Sequence, residues 1–419
     1  MRSNQGPVAA PGCKRVMATA VLLCAPLTAW TQATPPPAEA AATPAPKVEI
    51  SPVKFTFGGW IKLDAVASRF SDGDVNVLTG ARDYYSPGAI PIAATTALKD
   101  EHTYLQAHAK DTRVWAKGES LIAGHAVTGY LELDFRTNPG GYNTRTTNAY
   151  NPGLRRAYFT YDRWLLGQDF TTFRNSEASP ESVDALGPTD GLILNRYPQV
   201  RYSTDRWQIA LEEPETALIA NRGATEHSAT GDSIVPDLVV KYLYKPGFGS
   251  FSVAGLLRQL KADNHVLPPV NAKGSDTGYA LSVAGKVPLM GKDDLRFAAS
   301  GGVGVGRYLG SNTVDDASVN LVGEIDAIPV ANGFIAYRHP WSDKLRSSFT
   351  VSGLVADNDG VQTGGNATQS VLTYRANLLY SPIPPIHFGV EALFGERKNE
   401  RGDKGSLSRL QFAAKYVFG

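Results

Sequence analysis

The residues with the clearest binding chemistry are basic side chains between positions 113 and 201. The set comprises Arg113, Lys117, Arg155, Arg156, Arg174, Arg196 and Arg201. An arginine presents a rigid fork of N–H donors that fits a carboxylate, and it keeps its proton at physiological pH. The set therefore predicts a site for small anions, provided that the fold turns these side chains toward one water-filled space. The alternative is that they form ion pairs with neighbouring carboxylates or bind lipid phosphates, and select nothing.

Strand parity limits which of these side chains can lie together. Arg113, Trp115 and Lys117 are spaced two residues apart and therefore share one face. Gln199, Arg201 and Ser203 share a face in the same way. In a regular strand, adjacent residues point to opposite faces. We therefore expect only one of the neighbouring pair Arg155 and Arg156 to point inward.

An acidic segment rich in turn-forming residues lies among these arginines, at residues 174–196. Its carboxylates are Glu177, Glu181, Asp184 and Asp190. If the segment folds inward, its acids would face the arginines across a narrow gap. The resulting transverse field would orient a zwitterion or an anion. An exterior loop that contacts a neighbouring subunit is the alternative.

Other motifs give no support for catalysis or for a metal site. Asp72, Asp74 and Asn76 imitate the start of a calcium loop, but Val77 stands where that loop requires glycine. The seven histidines are scattered, without the spacing of a Ser–His pair or of a zinc site. We therefore predict no enzyme activity, no metal and no cofactor.

Alternating side chains predict the elements that carry these residues. In residues 410–418 (LQFAAKYVF), apolar side chains stand at every second position, with Gln411 and Lys415 between them. Residues 55–65 repeat the pattern, with Lys62 and Asp64 on the polar face. A period of two is typical of a strand with one apolar and one polar face. Later segments repeat it, and no segment predicts a helix.

The connections between these strands favour a barrel. Tight turns at 245–249 and 288–292 alternate with long polar loops, which we place at 69–101, 137–153, 213–233 and 357–368. Short turns at one end and long loops at the other are the habit of outer-membrane barrels. We predict an all-β fold, a transmembrane antiparallel β-barrel of about 16 strands. A secreted soluble β-sandwich, with the apolar faces packed in a core, is the alternative.

The N-terminal region predicts export. Lys14 and Arg15 precede an apolar run, and residues 31–33 offer a small-x-small cleavage site. We assign residues 1–33 to a signal peptide, 34–50 to a Pro/Ala-rich linker and 51–419 to the barrel. Both cysteines fall in the signal peptide, so the mature chain has no disulfide. Removal of the signal peptide takes away three of the 41 basic residues and no acidic residue. The mature chain then has 38 basic and 40 acidic residues, and its net charge of −2 favours no nucleic-acid partner.

Four stretches resemble the DcaP-like family of outer-membrane porins. They are FGGWIKLDAVAS (57–68), LRRAYFTYDRWLLGQDFTTF (154–173), PESVDALGPTDGLILNRYPQVRYS (180–203) and GVEALFGERKNERG (389–402). The resemblance implies a trimeric barrel in the outer membrane of a Gram-negative cell. It also implies passive uptake of small anionic solutes such as dicarboxylates. Lipid, lipopolysaccharide and the solute would be its partners.

The pore-lining residues expected from this are the basic residues Arg113, Lys117, Arg155, Arg174, Arg196 and Arg201 and the acids Glu177, Glu181 and Asp184. Residues 174–196 would form the constriction loop. A non-selective general porin, or an adhesin that uses the barrel only as an anchor, is the alternative function.

Overall fold

The computed structural model describes residues 50–76, 80–94, 100–137, 148, 150–221, 225–267, 270–309 and 313–419. The predicted signal peptide and all but the last residue of the predicted linker lie outside the described residues, and both assignments stay predictions. Within the described part of the chain, no helix is both long and apolar enough to cross a membrane.

Strands account for most of the structure. They are β1 (Lys54–Phe70), β2 (His102–His108), β3 (Arg113–Ile122), β4 (His125–Thr137), β5 (Asn151–Tyr161), β6 (Trp164–Phe170), β7 (Arg196–Ser203), β8 (Trp207–Glu212), β9 (Ala217–Asn221), β10 (Thr225–Ala229), β11 (Asp237–Tyr244), β12 (Ser250–Leu267), β13 (Val270–Pro288), β14 (Asp294–Val303), β15 (Ala317–Val319), β16 (Ile325–Ala327), β17 (Pro329–Pro340), β18 (Leu345–Ala356), β19 (Thr368–Ile383), β20 (Ile386–Asn399) and β21 (Lys404–Phe418). A 3₁₀ turn at Pro87–Ala89 and the one-turn helix α1 at Gly360–Thr363 lie in loops.

Consecutive antiparallel pairings close the main sheet into a barrel. The last strand, β21, pairs with β1 from Gly59↔Phe418 to Phe70↔Leu407. Both β2 and β3 also pair with β1, at its two ends, so they are two halves of one wall strand interrupted at residues 109–112. The wall therefore has 16 strands, which confirms the predicted all-β antiparallel barrel.

The two faces of the wall differ as the alternating pattern predicts. On β1, Ile61 is 57% exposed and Leu63 52%, whereas Lys62 and Asp64, which alternate with them, are 7% and 0% exposed. On β21, Leu410 and Phe412 are exposed and Gln411 is buried. The apolar side chains thus point out of the barrel, where only an apolar medium would cover them, and the polar ones point into it.

The connections at the two ends of the barrel are unequal. The end that carries the start of β1 has short turns, among them those predicted at 245–249 and 288–292, of which the second lies at 289–293 in the structure. The other end carries long connections at 71–101, 138–150, 171–195, 213–236, 304–328 and 357–367. The segment 304–328 was not predicted as a loop. Its strands β15 and β16 join β9 and β10 in a separate four-stranded sheet, in the order β10-β9-β15-β16.

Long connections fold into the barrel and build a hydrophobic core there. Phe173 and Ile193 from the 171–195 segment and Tyr308 from the 304–328 segment pack with wall residues such as Val239 and Val330. Each of these side chains is almost completely buried. The interior is therefore filled on one side by packed loops, which leaves a narrower route through the remainder.

Close packing at Gly191 holds the 171–195 segment against the wall. A side chain there would meet the backbone carbonyl of Gly333 on β17, with Ser352 Cβ at 3.0 Å. We expect Gly191→Val to lift the segment from the wall, to cost about 1–3 kcal/mol of stability, and to expose Arg174 to trypsin. Limited proteolysis of the refolded barrel, with the fragment ends read by mass spectrometry, checks this.

The matched control is Gly247→Val in a short turn, where a side chain would meet nothing within 4 Å. Equal protection of Arg174 in the wild type and in Gly191→Val would show that the segment is not held by this contact.

Candidate functional site

The 171–195 segment spans the interior because side chains of the wall bind its backbone. Each contact joins a wall donor to a carbonyl of the segment: Lys241 Nζ to Arg174 O (2.9 Å), Arg296 Nη1 to Ser179 O (2.7 Å), Asn377 Nδ2 to Glu181 O (2.9 Å), Lys62 Nζ to Val183 O (2.8 Å) and Arg375 Nη2 to Gly187 O (2.8 Å). These donors belong to β11, β14, β19 and β1. Most of them are cations, and hydrogen bonds from charged donors are stronger than neutral ones. The segment is therefore fixed at several points around the wall.

Carboxylates complete this anchoring. Glu391 on β20 accepts hydrogen bonds from the hydroxyl of Ser182 and the amide of Val183, both at 2.9 Å, and it pairs with Arg375. Asp190 of the segment accepts a hydrogen bond from Ser352 Oγ at 2.9 Å, and burial raises the pKa of its carboxyl. The loop between β1 and β2 joins this arrangement, because Tyr85 N donates to Asp184 Oδ2 at 2.9 Å.

Inward-facing arginines of β3, β4, β5 and β7 share two aspartates. Asp134 lies 2.7 Å from Arg113, 2.7 Å from Arg136 and 2.6 Å from Arg155. Asp169 lies 2.6 Å from Arg156 and 2.8 Å from Arg201. Arg113 has a second carboxylate, Glu132, at 2.9 Å. Each of these guanidinium groups therefore has a carboxylate partner within the wall, which neutralises part of its charge.

A bulge corrects the expectation for the neighbouring arginines. The register between β4 and β5 passes from Glu132↔Arg156 to Leu133↔Leu154, so Arg155 is an extra residue without a partner. A bulge breaks the alternation of faces locally. Both Arg155 and Arg156 consequently reach inward-facing aspartates, and the expectation that only one of them points inward is wrong.

Two other arginines differ from this neutralised group. Among the residues that the structure describes, neither Arg174 nor Arg196 has a carboxylate within ion-pair distance. They flank one ring, with their guanidinium carbons 4.2 Å and 4.0 Å from the centroid of Phe170. Arg174 donates to Ser179 Oγ at 3.0 Å, while its Nε and Nη1 have no partner. Burial, together with repulsion from Arg156, lowers the pKa of Arg174 to about 10, so it stays charged at neutral pH.

These two arginines line a cavity of about 270 Å³ between the segment and the wall, which we call the arginine cavity. Its charged lining consists of Lys62, Asp111, Arg113, Arg136, Arg174, Arg196 and Lys415. Lys62 and Lys415 also line a second cavity of about 290 Å³, to which Glu181 and Arg346 contribute. The two cavities share the backbone around Ser182 and Val183, so they lie end to end along the segment.

The remaining predicted site residues lie away from the arginine cavity. Lys117 pairs with Glu119 at 2.7 Å on β3, and Glu177 pairs with Lys245 at 2.5 Å near a short turn. Glu181 pairs with Arg346 at 2.8 Å and with Arg338 at 3.1 Å in the second cavity. Asp184 accepts backbone hydrogen bonds from Tyr85 and Leu186. The structure thus gathers Arg113, Arg174 and Arg196 in one cavity, and it distributes the acids of the segment over its anchoring contacts.

Sequence reasoning missed Lys62, Arg136, Lys415 and Phe170. A signal existed for the first three, since Lys62 and Lys415 stand on the polar faces of β1 and β21, and Arg136 shares parity with Glu132 and Asp134. Within the described ranges, no group of three or more His, Cys, Asp or Glu side chains could hold a metal ion.

The chain is similar to one protein family and to several outer membrane proteins of known structure. The family model described as DcaP outer membrane protein matches residues 47–418. The crystal structure of the outer membrane channel DcaP of Acinetobacter baumannii aligns with a TM-score of 0.70 at 24% identity, over 87% of this chain and 97% of that chain. Two structures of the outer membrane protein OmpT of Vibrio cholerae align less closely. The outer-membrane expressed form has a TM-score of 0.52 at 10% identity, over 87% of this chain and 98% of that chain.

The in-vitro folded OmpT, described as the trimer form, has a TM-score of 0.51 at 11% identity, over 88% of this chain and 100% of that chain. A search of curated protein sequences finds no significant match.

The shared aspartate generates a prediction about stability. In Asp134→Asn, three guanidinium groups would lose their common counter-charge and repel one another. We expect a loss of about 1–3 kcal/mol in the free energy of unfolding, measured by urea titration of the barrel in detergent. Asp343→Asn is the control, because its pair with Lys292 is exposed on a turn and such pairs contribute little. Equal losses in both variants would contradict the structural role of Asp134.

Proposed function

The chain belongs to the DcaP outer membrane protein family, and from this we propose that it is a passive, partly selective porin for small organic anions, dicarboxylate-like in character. It is an outer-membrane β-barrel channel. The proposal concerns what passes through it and how the passage is controlled. The solute enters from the end with long loops, crosses the arginine cavity beside the 171–195 segment, and leaves at the end with short turns.

One observation carries the preference for anions, namely the pair Arg174 and Arg196. Most inward-facing arginines form ion pairs with carboxylates of the wall. Arg174 and Arg196 form no ion pair with any described carboxylate. Three of their nitrogen atoms, Nε and Nη1 of Arg174 and Nε of Arg196, are buried and lack hydrogen-bond partners. An unpaired buried donor is costly, so an anion that accepts from both is favoured there. Both guanidinium groups lie beside the ring of Phe170, so both are available to one solute in the cavity.

A series of further cations extends the path on both sides of this pair. Lys62 and Lys415 lie at the junction with the second cavity, and Arg346 lies beyond them. Toward the long loops, the guanidinium group of Arg307 stacks on the ring of Tyr197 at 4.0 Å. Asn195 donates a hydrogen bond to the carbonyl oxygen of Arg307 at 2.7 Å. Successive weak sites let an anion move from one to the next without a deep trap. Flux then follows the concentration gradient.

We extend the proposal to the assembly and its surroundings. A homotrimer in lipid and lipopolysaccharide is supported by the family assignment and by the trimer form of one structurally similar outer membrane protein. Aromatic side chains that project outward near the barrel ends, such as Tyr416, Trp164 and Trp207, fit the interfacial girdles of such barrels.

The test removes the two free charges. We expect the double variant Arg174→Gln, Arg196→Gln to lower the anion-to-cation permeability ratio about fivefold, because each lost charged contact is worth about 1 kcal/mol or less in a hydrated pore. Reversal potentials across planar bilayers in a KCl gradient measure this ratio. Block of the current by succinate should weaken in parallel.

Lys292→Gln is the matched control, since this cation lies on a short turn with an exposed partner, Asp343. An unchanged permeability ratio in the double variant would refute the role of the arginine pair. A large, weakly selective conductance without block in the wild type would favour a general porin, and no conductance at all would favour an anchor for adhesion.

A further inference from the structure

Three aromatic side chains form a strip on the inner face of β3, β4 and β5. The ring centroids of Trp115 and Tyr130 are 6.1 Å apart with planes 20° from parallel. Those of Tyr130 and Tyr158 are 5.2 Å apart with planes 23° from parallel. All three rings are only partly buried, and the register places Tyr130 directly opposite Tyr158. We call these three residues the aromatic strip.

Two glycines leave room for the outer rings of the aromatic strip against the neighbouring strands. Gly58 of β1 is opposite Trp115, and a side chain there would overlap the indole ring. Gly167 of β6 is opposite Tyr158, has a φ of +128°, and has room for no side chain, since Tyr158 Cβ would be 3.0 Å away. The ends of the strip are therefore flanked by backbone alone, and no side chain separates the outer rings from the neighbouring strands.

The strip adjoins the arginine cavity through Arg156. The guanidinium carbon of Arg156 is 4.8 Å from the ring centroid of Tyr130, 5.3 Å from that of Tyr158 and 5.6 Å from that of Phe170. Phe170 itself lines the arginine cavity. In the wall, Arg113 lies one inward-facing step above Trp115 on β3. A solute that leaves the cavity toward the short turns therefore meets the strip next.

Both hydroxyl groups of the strip already contact a charged side chain of the wall. Tyr130 donates to Glu132 Oε2 at 2.9 Å, and Arg156 Nη2 donates to the hydroxyl of Tyr158 at 3.3 Å. What the strip still offers is π surface beside a guanidinium group, and this suits a flat ring that carries a carboxylate.

We propose that the aromatic strip of Trp115, Tyr130 and Tyr158 is a stacking subsite for carboxylates with a planar unsaturated ring. This inference rests on the proposed anion-binding role of the arginine cavity. The carboxylate first binds Arg174 and Arg196, and the ring then stacks on the strip as the carboxylate passes to Arg156. Aromatic acids are thereby retained longer than saturated acids of the same charge and similar size.

Benzoate and cyclohexanecarboxylate form the matched pair of probes, because they share the carboxylate and differ in the planarity of the ring. Current fluctuations of the full barrel in planar bilayers give an apparent binding constant for each. We expect the wild type to bind benzoate about three- to tenfold more tightly, the range that one or two aromatic contacts supply. In Tyr130→Leu, Tyr158→Leu, the ratio should fall to near one through loss of benzoate binding alone.

Further variants separate the subsite from a general effect on the barrel. Phe159→Leu removes an outward-facing ring next to Tyr158 and should keep the wild-type ratio. Tyr130→Phe, Tyr158→Phe keeps the rings without the hydroxyl groups and should also keep it. If the leucine double variant does not fold, as judged by heat-modifiable migration, Trp115→Leu takes its place and should lower the ratio.

The outcomes distinguish this inference from the proposed function. In Arg174→Gln, Arg196→Gln, both acids should bind more weakly while their ratio stays above one. Equal binding of the two acids to the wild type, lost in the arginine variant, would refute the subsite and leave the anion site standing. Binding of neither acid, or binding unaffected by the arginine variant, would refute the proposed function. A ratio that survives loss of the strip would also refute the subsite.

Discussion

The hydrogen-bonded ladder between β1 and β21 is the constraint on which the rest of the structure depends. Because the first and last wall strands pair over Gly59↔Phe418 to Phe70↔Leu407, the sheet has no free edge. Closure lets every backbone group of the wall find a partner within the sheet, as a membrane requires. It also assigns each side chain to one of two environments. Once Phe412 is outside, Gln411 must be inside, and the same choice then propagates from strand to strand through the register.

Closure alone would leave a wide polar tube, and the loops and ion pairs decide how much of it stays open. Wall cations bind the carbonyls of the 171–195 segment, and packed loops fill another part of the interior. These interactions use most of the inward-facing charge. Asp134 and Asp169 together pair with arginines of β3, β4, β5 and β7. The number of arginines near the lumen is therefore a poor guide to selectivity. What matters is the set of arginines without a carboxylate partner among the described residues, and Arg174 and Arg196 are the two of that set that line the arginine cavity.

Sequence periodicity predicts the wall but not which arginines lack a carboxylate partner. Alternation on residues 55–65 and 410–418 is a local property, so it gives the barrel, the outward apolar face and the inward Lys62 and Asp64 correctly. Which arginine meets which carboxylate depends on register between strands, which a single sequence does not contain. The bulge at Arg155 shows the difficulty, since one extra residue turns two adjacent arginines to the same side. The 304–328 segment was missed for a related reason, because its short strands β15 and β16 pair with another loop rather than with the wall.

A channel of this kind works only if each contact along its path is weak, and the arrangement of charges accounts for that. A carboxylate at Arg174 and Arg196 gains charged hydrogen bonds, but it gives up hydrogen bonds to water in exchange. Neighbouring cations also attract it, which lets it move on. Arg113 and Arg136 stand close by with their charges partly neutralised by Asp134. They raise the local potential without adding a second strong site. Were Asp134 absent, the four arginines that line the cavity would hold an anion more tightly, and its release rather than its entry would limit the flux. In the proposed porin, the aspartates of the wall would keep the binding of the solute weak, and the two arginines without carboxylates would make the channel selective for anions.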